Sequence, residues 1–220
     1  ANEEGAFRLG LAYRFGAAGD VGQPAGTRHD FDGPYAAVQV GFGGLYTDNS
    51  GPRENNSFLT VERADHGAVG GVLAGAGATL GVLYLGGEID AELSDMNWNV
   101  ERSSDRVYSV ERKESYGVGA RLGVVLNDAT LLYGRAGAVR TRFTTDYLSQ
   151  DSGDHAIQDD RLTGYRFGGG VEMPASERGF VRADYSYTNY PDGYFVDYAS
   201  GIDNFDHSEA VFRLGYGVRY

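Results

Sequence analysis

The sequence predicts an all-β fold: an eight-stranded antiparallel transmembrane β-barrel with an extra amino-terminal strand-like segment. Three observations predict it. Apolar side chains recur at every second position over stretches of ten residues or more, the opposite faces of these stretches carry glycine and charge, and the connections between them alternate short and long. A period of two is that of a strand. A soluble sandwich would bring its apolar faces together in a core, which explains neither the charged inner face nor the loop alternation. A closed barrel in lipid explains both, with acyl chains on the apolar face, a polar lumen, short turns at one end and long loops at the other.

Taken in order, the candidate strands are 34–46, 66–76, 80–94, 113–126, 130–144, 161–173, 179–190 and 208–220. The second and third share a charge-free run, "GAVGGVLAGAGATLGVLYLGG" (Gly67 to Gly87), whose 21 residues are long enough for a membrane helix. Its eight glycines are poor helix formers, and it divides at "GAT" near Ala78 into two strand-length halves. A hairpin is the better reading. In the third strand Leu83, Leu85, Ile89, Ala91 and Leu93 oppose Tyr84, Gly86, Glu88, Asp90 and Glu92; in the fourth, Tyr116, Val118, Ala120, Leu122, Val124 and Leu126 oppose Ser115, Gly117, Gly119, Arg121 and Gly123. The last strand sets Ala210, Phe212, Leu214, Tyr216, Val218 and Tyr220 against Glu209, Val211, Arg213, Gly215, Gly217 and Arg219. The other short connections are "NDA" (127–129) and "PASER" (174–178), and the four long ones are rich in Asp, Asn, Ser and Gly.

A further alternating stretch lies upstream, with Phe7, Leu9, Leu11, Tyr13 and Phe15 opposite Arg8, Gly10, Ala12 and Arg14. Residues 1–32 are therefore expected to form an amino-terminal segment and linker, and 33–220 the barrel. Single-chain bacterial barrels have even strand numbers, so a ninth strand has no place in the wall. Residues 7–15 are left as a periplasmic or lumen segment, a strand offered to a neighbouring molecule, or a tail. The chain opens with the polar "ANEEG", so any signal peptide is expected to have been removed.

Composition narrows the function classes. A net charge of -12 excludes nucleic acid as a partner, because a phosphate backbone needs a basic surface. The mean hydropathy of -0.37 is too polar for a bundle of membrane helices. Without cysteine there is neither a disulfide nor a thiolate metal site. Lys113 is the only lysine, and the remaining basic residues are arginines, which keep their charge in confined spaces and pair carboxylates in a planar fork.

Several stretches resemble, in order and spacing, the barrel domain of outer-membrane protein A and related small surface-antigen barrels. They are "GARLGVVLNDATLLYGRAGAV" (Gly119 to Val139), "GGGVE" (Gly168 to Glu172), "VRADYSYTN" (Val181 to Asn189) and the terminal "FRLGYGVRY", with weaker likeness in "GPYAAVQVGFG" and "LGGEIDAEL". The resemblance implies a bacterial outer-membrane barrel with four surface loops, surrounded by outer-membrane lipid and lipopolysaccharide. It also implies that the outer-membrane assembly machinery reads the terminal strand through Phe212, Tyr216 and Tyr220. Glu88, Arg121, Glu172 and Arg182 match a lumen ion-pair gate of that family, and Arg135 a further lumen arginine.

From the alternation itself, Glu88, Asp90, Glu92, Arg121, Arg135, Arg166, Glu172, Arg182, Asp184 and Arg213 fall on lumen faces. So narrow a lumen leaves charges no choice but to pair or to hold water. Pairing that merely holds the barrel rigid is favoured over gating, because buried ion pairs are weak evidence of function. His66, His155 and His207 fall in or beside long loops, with Asp154 next to His155 and Asp206, Ser208 and Glu209 around His207; His29 lies in the linker. These spacings diagnose no triad. Neither Asp151, Asp154, Asp159 and Asp160 nor Asp192, Asp197, Asp203 and Asp206 follow calcium-loop spacing. No enzyme activity, metal or cofactor is expected. The tyrosines Tyr185, Tyr187 and Tyr190 read as an interfacial girdle, while Tyr194 and Tyr198 lie farther out, in the last long loop, and mark a candidate partner-binding surface. The expected function is structural and surface-interactive; a small-solute or ion channel and a lipid-modifying barrel enzyme are the alternatives.

Overall fold

The computed structural model describes residues 31–50, 63–102, 106–127, 129–149, 155–198 and 201–220. Nine strands run along them: β1 (Gly33–Ser50), β2 (Arg63–Leu80), β3 (Leu83–Ser94), β4 (Asn97–Arg102), β5 (Arg106–Leu126), β6 (Thr130–Ser149), β7 (His155–Pro174), β8 (Gly179–Tyr198) and β9 (Gly201–Arg219). β3 and β4 both pair with β5, one above the other, so they fill a single place in the wall. The result is a closed, eight-place antiparallel barrel, sealed where β1 pairs with β9 from Tyr35↔Arg219 to Ser50↔Asn204. No helix among the described residues is long and apolar enough to cross a membrane; strands make the crossing.

Alternation decides which way each side chain points. Val38, Val40, Phe42, Val72, Leu85, Ile89, Val118, Leu122, Phe167 and Leu214 are exposed on the outer wall, and their inward neighbours are buried or half-buried. Tyr116, Tyr165, Tyr185, Tyr187 and Tyr216 are also exposed on that wall, as interfacial aromatics should be. Tyr190 departs from the expected girdle. It has the parity of Arg182 and Asp184, and is fully buried, with its hydroxyl 2.8 Å from Thr141 Oγ1 and its ring edge-on to Phe143 at 5.3 Å.

Two further features depart from the sequence reading. The β2–β3 turn is not at "GAT" but at Gly81–Val82, between the paired Leu80 and Leu83. Gly81 adopts a φ of 65°, which a two-residue hairpin needs at its first turn position and which glycine accepts without a Cβ clash. The second departure is strand length. β5 to β9 run for 19–21 residues, about twice the ~9–11 that cross a bilayer at a tilt. The surplus lies at the end with the long connections, the outer side of such barrels. What reads as a long last loop is largely a hairpin, Tyr194↔Phe205 to Tyr198↔Gly201. Tyr194, Phe195, Val196, Tyr198, Ile202 and Phe205 are good strand formers, and antiparallel pairing satisfies their backbone beyond the membrane.

Candidate functional site

Among the described residues, six carboxylates and seven guanidiniums lie buried inside the wall. They form an unbroken alternating chain. From the short-turn end, Arg219 pairs with Glu172 (2.6 Å), Glu172 with Arg121 (2.9 Å), Arg121 with Glu88 (3.2 Å) and Glu88 with Arg182 (2.9 Å). The line continues through Arg182–Asp184 (3.3 Å), Asp184–Arg135 (3.2 Å), Arg135–Asp90 (3.0 Å), Asp90–Arg166 (3.0 Å) and Arg166–Glu92 (3.3 Å). At the far end Glu92 holds Arg213 by two nitrogens and Arg112 at 3.3 Å, and Arg112 reaches Glu209 at 2.7 Å. The five residues Glu88, Arg121, Arg135, Glu172 and Arg182 thus occupy the lower half of one continuous network.

Aromatic rings support the same groups. The Arg121 guanidinium lies 3.7 Å from the centroid of the Tyr133 ring, with Tyr84 at 5.4 Å and Tyr35 at 5.6 Å, so three faces of negative quadrupole surround it. Tyr35 donates to Glu88 (2.9 Å) and Tyr133 to Asp184 (3.0 Å). Room for the rings comes from small neighbours: a Cβ added at Gly75 would stand 2.5 Å from the Tyr35 hydroxyl, and one at Gly77 would strike the Tyr84 ring.

Apolar clusters flank the ionic chain at both ends. Below, Phe31 packs with Tyr84, Val125, Leu131 and Tyr133, beside the cluster of Tyr35, Ala37, Leu73 and Phe180. The Phe31 carbonyl accepts from Arg219, and Asp32 accepts from the Thr79 amide, so the end of the expected linker is tied into the mouth. Above, Val69, Met96 and Val211 form one cluster, and Leu45, Phe143, Leu162 and Tyr190 are buried at the same end.

Arg112, Glu209 and Arg219 belong to this site, although sequence reasoning did not assign them to it. Counting back from Tyr116 by twos puts Arg112 on the lipid face. A β-bulge between Arg112 and Ser115 reverses the parity and turns it inward. Glu209 and Arg219 share the inward parity of Arg213, so a stricter count along the last strand finds both.

Elsewhere, Phe212 faces Phe42 across the β1–β9 seam at 5.9 Å, Tyr216 and Tyr220 are exposed, and the Tyr220 amide donates to the Pro34 carbonyl. Tyr194 and Tyr198 lie on the β8 backbone, paired with β9 rather than in a loop. Residues 7–15, His29, Asp151 and Asp154 lie outside the described residues, as do the side chains of Tyr194, Tyr198, His155, Asp206 and His207. His66 is exposed on β2.

The model of the outer membrane protein beta-barrel domain matches residues 15–220. The chain belongs to this family. No curated protein matches it. Among solved structures it is similar to the outer membrane protein OprG from Pseudomonas aeruginosa, with 13% identity over 87% of this chain and 98% of that one, and a TM-score of 0.51. It is also similar to Ail, the attachment invasion locus protein of Yersinia pestis (14% identity, 86% and 99% covered, TM-score 0.47). A third is the outer membrane protease OmpT from Escherichia coli (7% identity, 86% and 97% covered, TM-score 0.49). At such identities the likeness shows the fold alone, and one fold carries many functions. This member of the family is a bacterial outer-membrane barrel in contact with membrane lipid.

Proposed function

We propose that the protein is a sealed, non-catalytic barrel that anchors a surface-exposed β-collar in the outer membrane and serves envelope integrity and surface contact rather than transport. One observation carries this reading: a continuous line of paired charges lies between two apolar layers. An ion moving through the lumen would have to break pairs that are each nearly inaccessible to water. It would also have to cross two layers that offer it no hydration.

Conductance across planar lipid bilayers tests the reading. The purified barrel is expected to pass no steady current, and a persistent open level would overturn the proposal in favour of a channel. Phe31→Ala alone is expected to leave the barrel closed, because the ionic line and the upper layer remain. Glu172→Ala combined with Arg182→Ala interrupts the ionic line and is expected to lower the urea midpoint; unchanged stability and conductance in that variant would show that these residues hold nothing together.

A further inference from the structure

The wall does not stay closed above the membrane. β7 pairs with β6 without a break from Leu131↔Glu172 to Leu148↔His155, but with β8 only from Pro174↔Phe180 to Tyr165↔Asn189. Beyond that fork β8 continues with β9 alone. On the opposite side, β2 pairs with β3 only as far as Val69↔Ser94, and no ladder among the described residues joins β2 to β4 above it. Among the described residues the collar therefore consists of two four-stranded ladders, β2-β1-β9-β8 and β7-β6-β5-β4, with no ladder between them at this level.

Tyr190 stands at the fork. Its ring turns inward against Phe143 and crowds the place beside Gly164, where a Cβ would meet both Tyr190 and Thr188. The two free edges then differ. That of β8 is blunted by Pro191, which has no N–H to offer, and by an irregularity between Tyr190 and Tyr194. That of β7, from His155 to Gly164, has neither a proline nor a bulge. Charge around the fork is mostly negative: 155–164, 190–198 and 201–207 carry six aspartates against one arginine, and of the six Asp159 is paired with Arg142 of β6.

We propose that the β7 edge at 155–164 takes up an extended, lysine- or arginine-rich segment of a partner protein as an added strand. The edge supplies unpaired N–H and C=O groups for a main-chain ladder, and the aspartates on both sides of the fork select a basic segment. This rests on the proposed surface-contact role and names its partner class.

The test uses the whole chain in lipid nanodiscs and a fluorescent peptide of about ten residues, the length of an ordinary to long strand, that alternates lysine with valine or threonine. Two control peptides are used, one with glutamate for lysine and one with alternate backbone nitrogens methylated. The lysine peptide is expected to bind saturably, and each control to bind at least about tenfold more weakly. Neighbouring strand residues aim their N–H groups to opposite sides, so of Ile157→Pro and Gln158→Pro one blocks the free edge and leaves the ladder to β6 intact. The variant that keeps the parent's unfolding midpoint is expected to lose binding by a similar factor. Equal binding of the methylated peptide would reduce the effect to electrostatic adhesion and overturn the proposal without requiring a folded variant. Failure of the lysine peptide to bind would overturn it too, as would self-association of the chain blocked by the same proline. None of these outcomes bears on the conductance that tests the sealed barrel.

Discussion

Glu92 shows at the scale of one residue what holds the lumen. Its two oxygens accept from Arg213, Arg166, Arg112 and Gln39. Glu92→Ala would leave three buried guanidiniums short of a counter-charge, and breaking a buried pair costs about 3–5 kcal/mol. We expect a loss of that order in urea unfolding from lipid vesicles. By contrast Glu114→Ala, which removes a partner of Arg142 and Arg161 at the solvent-facing outer surface, is expected to cost less than about 1 kcal/mol. Asp159 carries a pH signature. Hydrogen bonds from Arg142 and Thr144 hold its carboxyl below the usual range. A depressed carboxylate stabilises the fold above its unfolded value near ~3.9, and that contribution is lost as pH falls through its folded value. The stability difference between the parent and Asp159→Asn is therefore expected to close in acid, and the NMR titration midpoint of Asp159 to rise in Arg142→Gln.

At the scale of the element, the bulge in β5 places a charge. Deleting Lys113 removes the extra residue and restores an even register with β6, and is expected to leave Arg112 inward, two places from Ser115 and still opposite Phe143. Arg112→Leu should therefore be strongly destabilising in the parent and in the deleted chain alike, because both keep it paired with Glu92 and Glu209, as urea midpoints would report. Glycines divide by site. Gly77→Val drives a side chain into the Tyr84 ring and is expected to cost about 1–3 kcal/mol, whereas the site at Gly70 is open and Gly70→Val is expected to be nearly neutral. These elements also show what can be read from sequence. Strand number, facing and ten of the inward charges follow from a period of two, which persists wherever one face meets lipid and the other the lumen. Arg112 escapes that reading because the bulge is a backbone irregularity without a residue signature of its own. Tyr190 escapes it because tyrosine suits both an interface and a lumen, and only its parity with Arg182 tells them apart. Tyr194 and Tyr198 read as loop because the glycines and aspartates around them are turn formers, yet pairing across the hairpin prevails.

For the molecule as a whole, the closed section and the split collar have different tolerances. Breaching one closure is expected to leave the barrel electrically silent, while edge-blocking changes in the collar should leave its unfolding midpoint where it was. The seam between β1 and β9 gives the closed section a history in time. Arg219 reaches Phe31 across 188 residues of sequence, and Arg213 reaches Glu92 across 121. Neither contact exists until the two ends of the sheet have met, which puts the ionic line among the last things to form. Groups that lock in after the rate-limiting step slow unfolding without hastening folding. Lumen substitutions such as Glu92→Gln should therefore shorten the lifetime of the finished barrel and leave its rate of assembly in vesicles unchanged, so the charges serve as a latch on persistence rather than a guide to folding.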